Sequence, residues 1–203
     1  MSLLPTHTTR RNAAVVLAVA GAGAIGAPVI AFPAGAAPGA VPAPPATPVG
    51  SPQDFDFEHG NWHTALRRRL RPLSGSDVWA EYVGTSLVRP VFGGRANLVE
   101  LDVAGPQGRI QGLSLRLFET ERQRWTLNFS NAASGTLAAP MVGGFGGSRR
   151  GLFYSAEEFD GRQILVRFVI ESTGADSCRF EQAFSADGGA TWELNWIAVD
   201  TRA

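Results

Sequence analysis

Residues 164–196 read ILVRFVIESTGADSCRFEQAFSADGGATWELNW, three alternating apolar runs separated by two stretches of turn formers. Successive side chains of a strand point to opposite faces, so such runs predict half-buried strands. A first hairpin centred on Gly174 sets Arg167 opposite Glu181, Phe168 opposite Phe180 and Ile164 opposite Phe184. Ile164, Val166, Phe168, Ile170, Phe180, Gln182 and Phe184 then share one face, while Arg167, Glu171, Arg179 and Glu181 share the other. For Trp192, Leu194 and Trp196 to join the apolar face, the Asp187-Gly188-Gly189 connection must enclose an odd number of residues. A three- or five-residue loop with a glycine bulge does so.

Within this stretch SADGGATW, Ser185–Trp192, fits the S-x-D-x-G-x-T-W spacing of the Asp-box hairpins in sialidase-like propellers. A propeller needs that hairpin in blade after blade, and here it occurs once. The motif is therefore a turn: Asp187 caps the loop and the glycines take positive φ. Upstream, alternating runs recur every ten to fifteen residues or so, between breaks such as Phe92-Gly93-Gly94 and Gly105-Pro106-Gln107-Gly108. Across the turn at 119–123, Leu113, Leu115 and Leu117 are placed opposite Phe129, Leu127 and Trp125, with Arg116, Thr126 and Asn128 on the other side. The expected fold is all-β, a single up-and-down antiparallel barrel of about nine or ten strands. Its expected interior is apolar and aromatic, with Gln182 as the one polar residue.

The 203-residue chain has no charged residue from Asn12 to Gln53. Arg10-Arg11, the Ala/Gly/Val-rich run 13–31 and Ala34-Gly35-Ala36 follow the order of an export signal. The arginine pair resembles a Tat signal, although Ala13 and Ala14 stand where bulkier apolar residues are usual. Residues 1–36 are read as that signal, 37–52 as a Pro/Ala-rich linker and 53–203 as the barrel. Gly21, Gly23, Gly26 and Pro28 make a poor membrane span, so no stable insertion is expected once the signal is cleaved. The expected localisation is periplasmic or extracellular. Beyond the signal, 16 arginines face 18 carboxylates, a balance of −2 that gives no pull toward nucleic acid. Cys178 is the sole cysteine and cannot form an intrachain disulfide.

Two motifs carry a resemblance. Phe55-Asp56-Phe57, Gly60 and Trp62 open the domain, and Glu181-Gln182-Ala183-Phe184-Ser185, Asp187-Gly188-Gly189, Thr191-Trp192 and Asn195-Trp196 close it. Together they resemble an uncharacterised bacterial family of calycin-like (lipocalin/nitrobindin-like) β-barrels with FDF..G.W and EQAFS.DGG.TW..NW motifs. The chain departs from that pattern at Glu58, His59 and Phe180, where bulky apolar or aromatic residues are common. The resemblance implies a barrel end plugged by Trp62, with Arg202 from the last strand laid across it. It implies no catalytic residues.

Candidate chemistry is sparse. His59 and His63 are four apart, which would suit a metal on a helix, but Gly60 and the strand at Trp62 argue against one, and no metal is expected. A nitrobindin-like haem needs an axial ligand inside, and no histidine follows His63, so no cofactor is expected. Arg67, Arg69 and Arg71 fall on one strand face and read as solvated surface. Two functions are in play. One is an exported barrel that binds a hydrophobic or amphipathic small molecule through Trp125, Phe168, Phe180, Gln182, Leu194 and Trp196. The other is a cofactor-free barrel enzyme (isomerase, cyclase or hydrolase) using a polar group of Arg167, Glu181 and Asn195. The sequence leaves the oligomeric state open, a dimer included. Changing Arg10 and Arg11 together to lysine is expected to leave precursor in the cytoplasm; unimpaired export of that variant removes the Tat reading.

Overall fold

The computed structural model describes residues 43–203; the export-signal reading and the first part of the linker lie outside them. Ten antiparallel strands close into one barrel, β1 (Gly60–Arg69), β2 (Trp79–Val91), β3 (Ala96–Gly105), β4 (Gly108–Glu119), β5 (Arg124–Asn131), β6 (Met141–Gly144), β7 (Arg150–Phe159), β8 (Arg162–Gly174), β9 (Ser177–Ser185) and β10 (Glu193–Arg202). Each strand pairs with its sequence neighbours, and β1 closes the sheet on β10. Closure needs strongly coiled strands, and Gly84 permits one tight approach: a Cβ there would lie 2.0 Å from the Asp102 carbonyl oxygen. β6 is the thin part of the wall, pairing only with Trp125–Leu127 on one side and Leu152–Tyr154 on the other.

The expected faces hold on β8 and β9, but the register differs by two residues. Phe168 lies opposite Gln182, Ile170 opposite Phe180 and Arg167 opposite Ala183, not Glu181. The turn is Ala175-Asp176, between the paired Gly174 and Ser177, and not centred on Gly174; a one-residue bulge between Ser172 and Gly174 then brings the slip to an even two. A two-residue slip preserves which side chains point inward.

On β4 the slip is one residue, and it inverts the face. Ser114 pairs with Phe129, Arg116 with Leu127 and Phe118 with Trp125. The turn encloses an even number of residues, 120–123, with Gln123 in the left-handed region at φ 48°. Leu113, Leu115 and Leu117 therefore occupy the outer face, with Leu113 exposed, and Arg116 is buried inside.

The last hairpin corrects a third expectation. Phe184 pairs with Glu193, so the connection is even, and the parity change comes later, from a bulge at Asn195. Trp196 returns to the interior opposite Gln182. Leu194 sits opposite Ala183, off the lumen, and Trp192 lies on the outer wall beneath Arg167, 4.6 Å from guanidinium to ring centroid. In the turn itself Asp187 accepts hydrogen bonds from the Thr191 hydroxyl (2.5 Å), the Thr191 amide (2.9 Å) and the Ser185 hydroxyl (2.7 Å). These donors hold its carboxyl down at about 2.

One end of the barrel is plugged by the segment before β1. Gly50 N–H donates to the Gln123 carbonyl and Gly146 N–H to the Val49 carbonyl, so the packed chain begins inside the proline-rich stretch. A 3-10 turn, Asp56–Glu58, then carries Phe55 into edge-to-face contact with Trp125 and Phe145, at 4.8 and 5.2 Å. Trp62 is fully buried, its Nε1 donating to the Glu58 carbonyl, and the Arg202 guanidinium lies 3.7 Å from its ring centroid. Arg202 also donates to the carbonyls of His59 (2.6 Å) and Phe57 (3.0 Å). Arg202→Ala removes the stacked cation and orphans two carbonyls, and is expected to lower unfolding free energy by about 2 kcal/mol. The exposed Arg122→Ala is expected to change it by no more than about 0.5 kcal/mol. Urea unfolding of the two variants checks this, and equal effects would remove the plug role of Arg202.

Candidate functional site

The inward faces enclose a cavity of about 110 Å³. Its walls are apolar: Leu101 from β3, Phe129 from β5, Phe168 from β8, Phe180 from β9 and Trp196 from β10. Phe168 and Phe180 stack with centroids 6.4 Å apart. Ala138 and Ala139, from the connection between β5 and β6, complete the lining.

The floor, against the plugged end, is polar. Glu58, at the end of the 3-10 turn, forms a two-pronged ion pair with Arg116 of β4, both side chains less than 5% exposed. The same guanidinium lies over the Phe55 ring at 4.5 Å. Beside them the Thr64 and Ser86 hydroxyls share a 2.7 Å hydrogen bond. Asp200 of β10 stands opposite Thr64, 2% exposed, with Oδ1 buried and lacking a hydrogen-bond partner among the described residues. Burial first, and then the Glu58 charge, push the Asp200 carboxyl up to about 6, against the Thr64 and Ser86 hydroxyls and the Arg116 charge. Cys178, paired with Asp200 across β9, has its thiol pushed up to about 12, chiefly by burial, and is no nucleophile at neutral pH. Glu157 on β7 also lines the cavity, held by the Ser155 hydroxyl at 2.6 Å, with its carboxyl raised by burial.

Four of the sequence-predicted residues, Phe168, Phe180, Gln182 and Trp196, line this cavity. Trp125 lies beneath it in the plug cluster, its Nε1 donating to the Ser51 carbonyl. Leu194 is not in the lining. The polar group of Arg167, Glu181 and Asn195 does not assemble. Arg167 stacks on Trp192, Glu181 pairs with Arg179, and Asn195 is buried in the β10 bulge with Nδ2 unpartnered. His63 alternates with the inward Trp62 and Thr64 and is exposed, so it does not converge with His59.

The interior is thus not the greasy lumen with Gln182 alone that the sequence suggested. Glu58, Thr64, Ser86, Arg116 and Asp200 were missed, yet part of the signal was present. Setting Trp62 opposite Arg202 puts Thr64 opposite Asp200 by the antiparallel rule alone. Glu58 was visible as a carboxylate where apolar residues are usual. Arg116 was hidden by the leucines on either side of it.

No protein-family model matches the chain, and no curated protein matches it in sequence. Among solved structures it is similar to Rv2717c from M. tuberculosis, at 12% identity and TM-score 0.51, covering 74% of this chain and 96% of that one. It also matches a redesigned β-barrel, mFAP0, bound to DFHBI, at 10% identity and TM-score 0.40, covering 72% and 99% of the two chains. At 12% identity the likeness to Rv2717c is one of fold.

Burying Asp200 has a consequence for stability. Its folded-state value lies above the unfolded one, so the native state binds the extra proton, and stability falls as pH rises from about 4 to about 6 and is flat beyond. Asp200→Asn removes the cost of charging it, roughly 3 kcal/mol by that shift, and is expected to stabilise the protein at pH 8 but not at pH 4. Urea titrations at the two pH values measure the difference, and a variant destabilised equally at both would contradict it.

Proposed function

We propose that the protein is a binding barrel for a small amphipathic molecule, held in the lumen with its apolar body against Phe168, Phe180 and Trp196. The observation that carries this reading is a cavity whose apolar walls lead down to a buried polar floor, which sorts a ligand end for end. Its volume, about 110 Å³, limits the guest. An apolar protein cavity of about 150 Å³ takes up benzene, so the guest has the bulk of a single ring or a short chain. The arginine pair and uncharged leader support work outside the cytoplasm, on sequence grounds.

A cofactor-free enzyme is the second reading, and one observation favours it. Asp200 is an enclosed carboxyl held near 6, where proton uptake and release are both accessible at neutral pH. If this barrel catalyses, Asp200 takes the proton-transfer role, and Arg167 and Glu181 on the outer wall do not.

Toluene is the probe for the lumen. At about ten times its dissociation constant it is expected to stabilise the protein by about 1.4 kcal/mol, a rise of some 3–6 °C in melting temperature. Ala198→Phe, which fills the lumen, is expected to abolish the shift, and Arg167→Ala to leave it intact. No shift up to the solubility limit of toluene, or loss with Arg167→Ala and not with Ala198→Phe, would sink the lumen reading.

A further inference from the structure

We propose that the polar end of the ligand is a protonated amine, seated against Asp200 on the cavity floor. The inference rests on the lumen being the binding site and names what that site selects.

Five other elements face Asp200, and two of them bring a charge. β1 and β2 bring only the Thr64 and Ser86 hydroxyls, and β9 brings the un-ionised Cys178. The 3-10 turn brings Glu58, and β4 brings Arg116. On its own strand, Arg202 is spent at the plug on Trp62 and two backbone carbonyls. Arg116 is committed to Glu58 through both terminal nitrogens, so the floor holds one balanced pair and one surplus carboxylate. Glu157 on the β7 wall, tied to the Ser155 hydroxyl, is a second carboxyl of the cavity and is raised by burial. With Asp200 ionised the floor carries −1. A buried carboxylate oxygen with no donor is costly, and any ligand that supplies one recovers that cost.

The geometry narrows the donor. Oδ1 of Asp200 is unpartnered, and the Thr64–Ser86 hydroxyl pair beside it retains free lone pairs. An ammonium has three donors for these acceptors and a charge opposite to the surplus. A hydroxyl has one donor and no charge. A carboxylate would meet Asp200 and Glu58 with only the Arg116 Nε–H, on a guanidinium already neutralised, and the one hydroxyl proton that the Thr64–Ser86 pair does not use between themselves. The walls leave room for about a ring, so the ligand class is a small apolar primary amine. Because the floor must be ionised to attract it, affinity is expected to rise as pH climbs through about 6 and then stay level until the amine loses its proton.

Calorimetric titration with four probes of one shape tests this: benzylamine, benzyl alcohol, toluene and benzoate. At pH 7.5 benzylamine is expected to bind at least about tenfold more tightly than benzyl alcohol or toluene, and benzoate not to bind. At pH 5 the preference for the amine is expected to vanish while toluene is unchanged. Asp200→Asn is expected to lose the preference at pH 7.5 and to keep toluene. Equal binding of benzylamine and benzyl alcohol, a preference for benzoate, or an amine preference that survives Asp200→Asn would each overturn the proposal while the lumen reading stands. Failure of toluene as well as the amine would overturn both.

Discussion

The Glu58–Arg116 ion pair, with almost no water contact, is the constraint around which the rest of the barrel is arranged. Taking two charges out of water costs several kcal/mol for each ion, and the pair stands only because the geometry is two-pronged and Phe55 covers the guanidinium. Removing one partner would strand the other, at a cost of about 3–5 kcal/mol. The pair also has a topological effect. Glu58 precedes β1 and Arg116 lies on β4, so it ties the plug segment to the far wall and fixes which face of β4 points inward. The electrostatics of the floor follow, since Glu58 helps to raise Asp200 and Arg116 helps to hold it down.

How much of this was legible in the sequence depends on where the parity of each strand is set. Period-two alternation was enough for an antiparallel barrel, and for the inward set Val166, Phe168, Ile170, Phe180 and Gln182, because those faces survive a slip of two residues. Turn lengths are written less plainly. The 120–123 turn has an even length, and nothing in TERQ announces it; three alternating leucines on β4 looked like the buried face and are the outer one. At the other hairpin the connection is even and not odd, so Trp192 and Leu194 miss the apolar face, and the bulge that returns Trp196 to it lies at Asn195 and not among the glycines. The polar floor suffered most, since a buried charge gives no periodic signal: it is seen only after its register is known.

The walls and the floor place different demands on the barrel. The aromatic side chains could be drawn from any well-packed core, and a likeness of fold at 12% identity says nothing about what such a core encloses. The floor is different. Asp200, Thr64 and Ser86 add nothing to stability that leucine and valine would not add more cheaply, and Asp200 costs stability at neutral pH. The ligand proposed for the lumen would account for polar groups kept at such a cost around an open space.

The pairing of the first strand with the last sets the order in which the molecule can be completed. Trp62 and Arg202 meet across about 140 residues of intervening chain, and the Ala203 amide returns to the Asn61 carbonyl. Contacts so distant in sequence carry the largest loop-closure entropy, which places this fold among slow-folding topologies. During synthesis β1 emerges early with one edge unpaired, and its tryptophan waits uncovered until the final residues arrive. A chain that stops before β10 thus loses more than one strand: it keeps nine strands of open sheet with a sticky edge, a precursor to aggregation in place of a barrel.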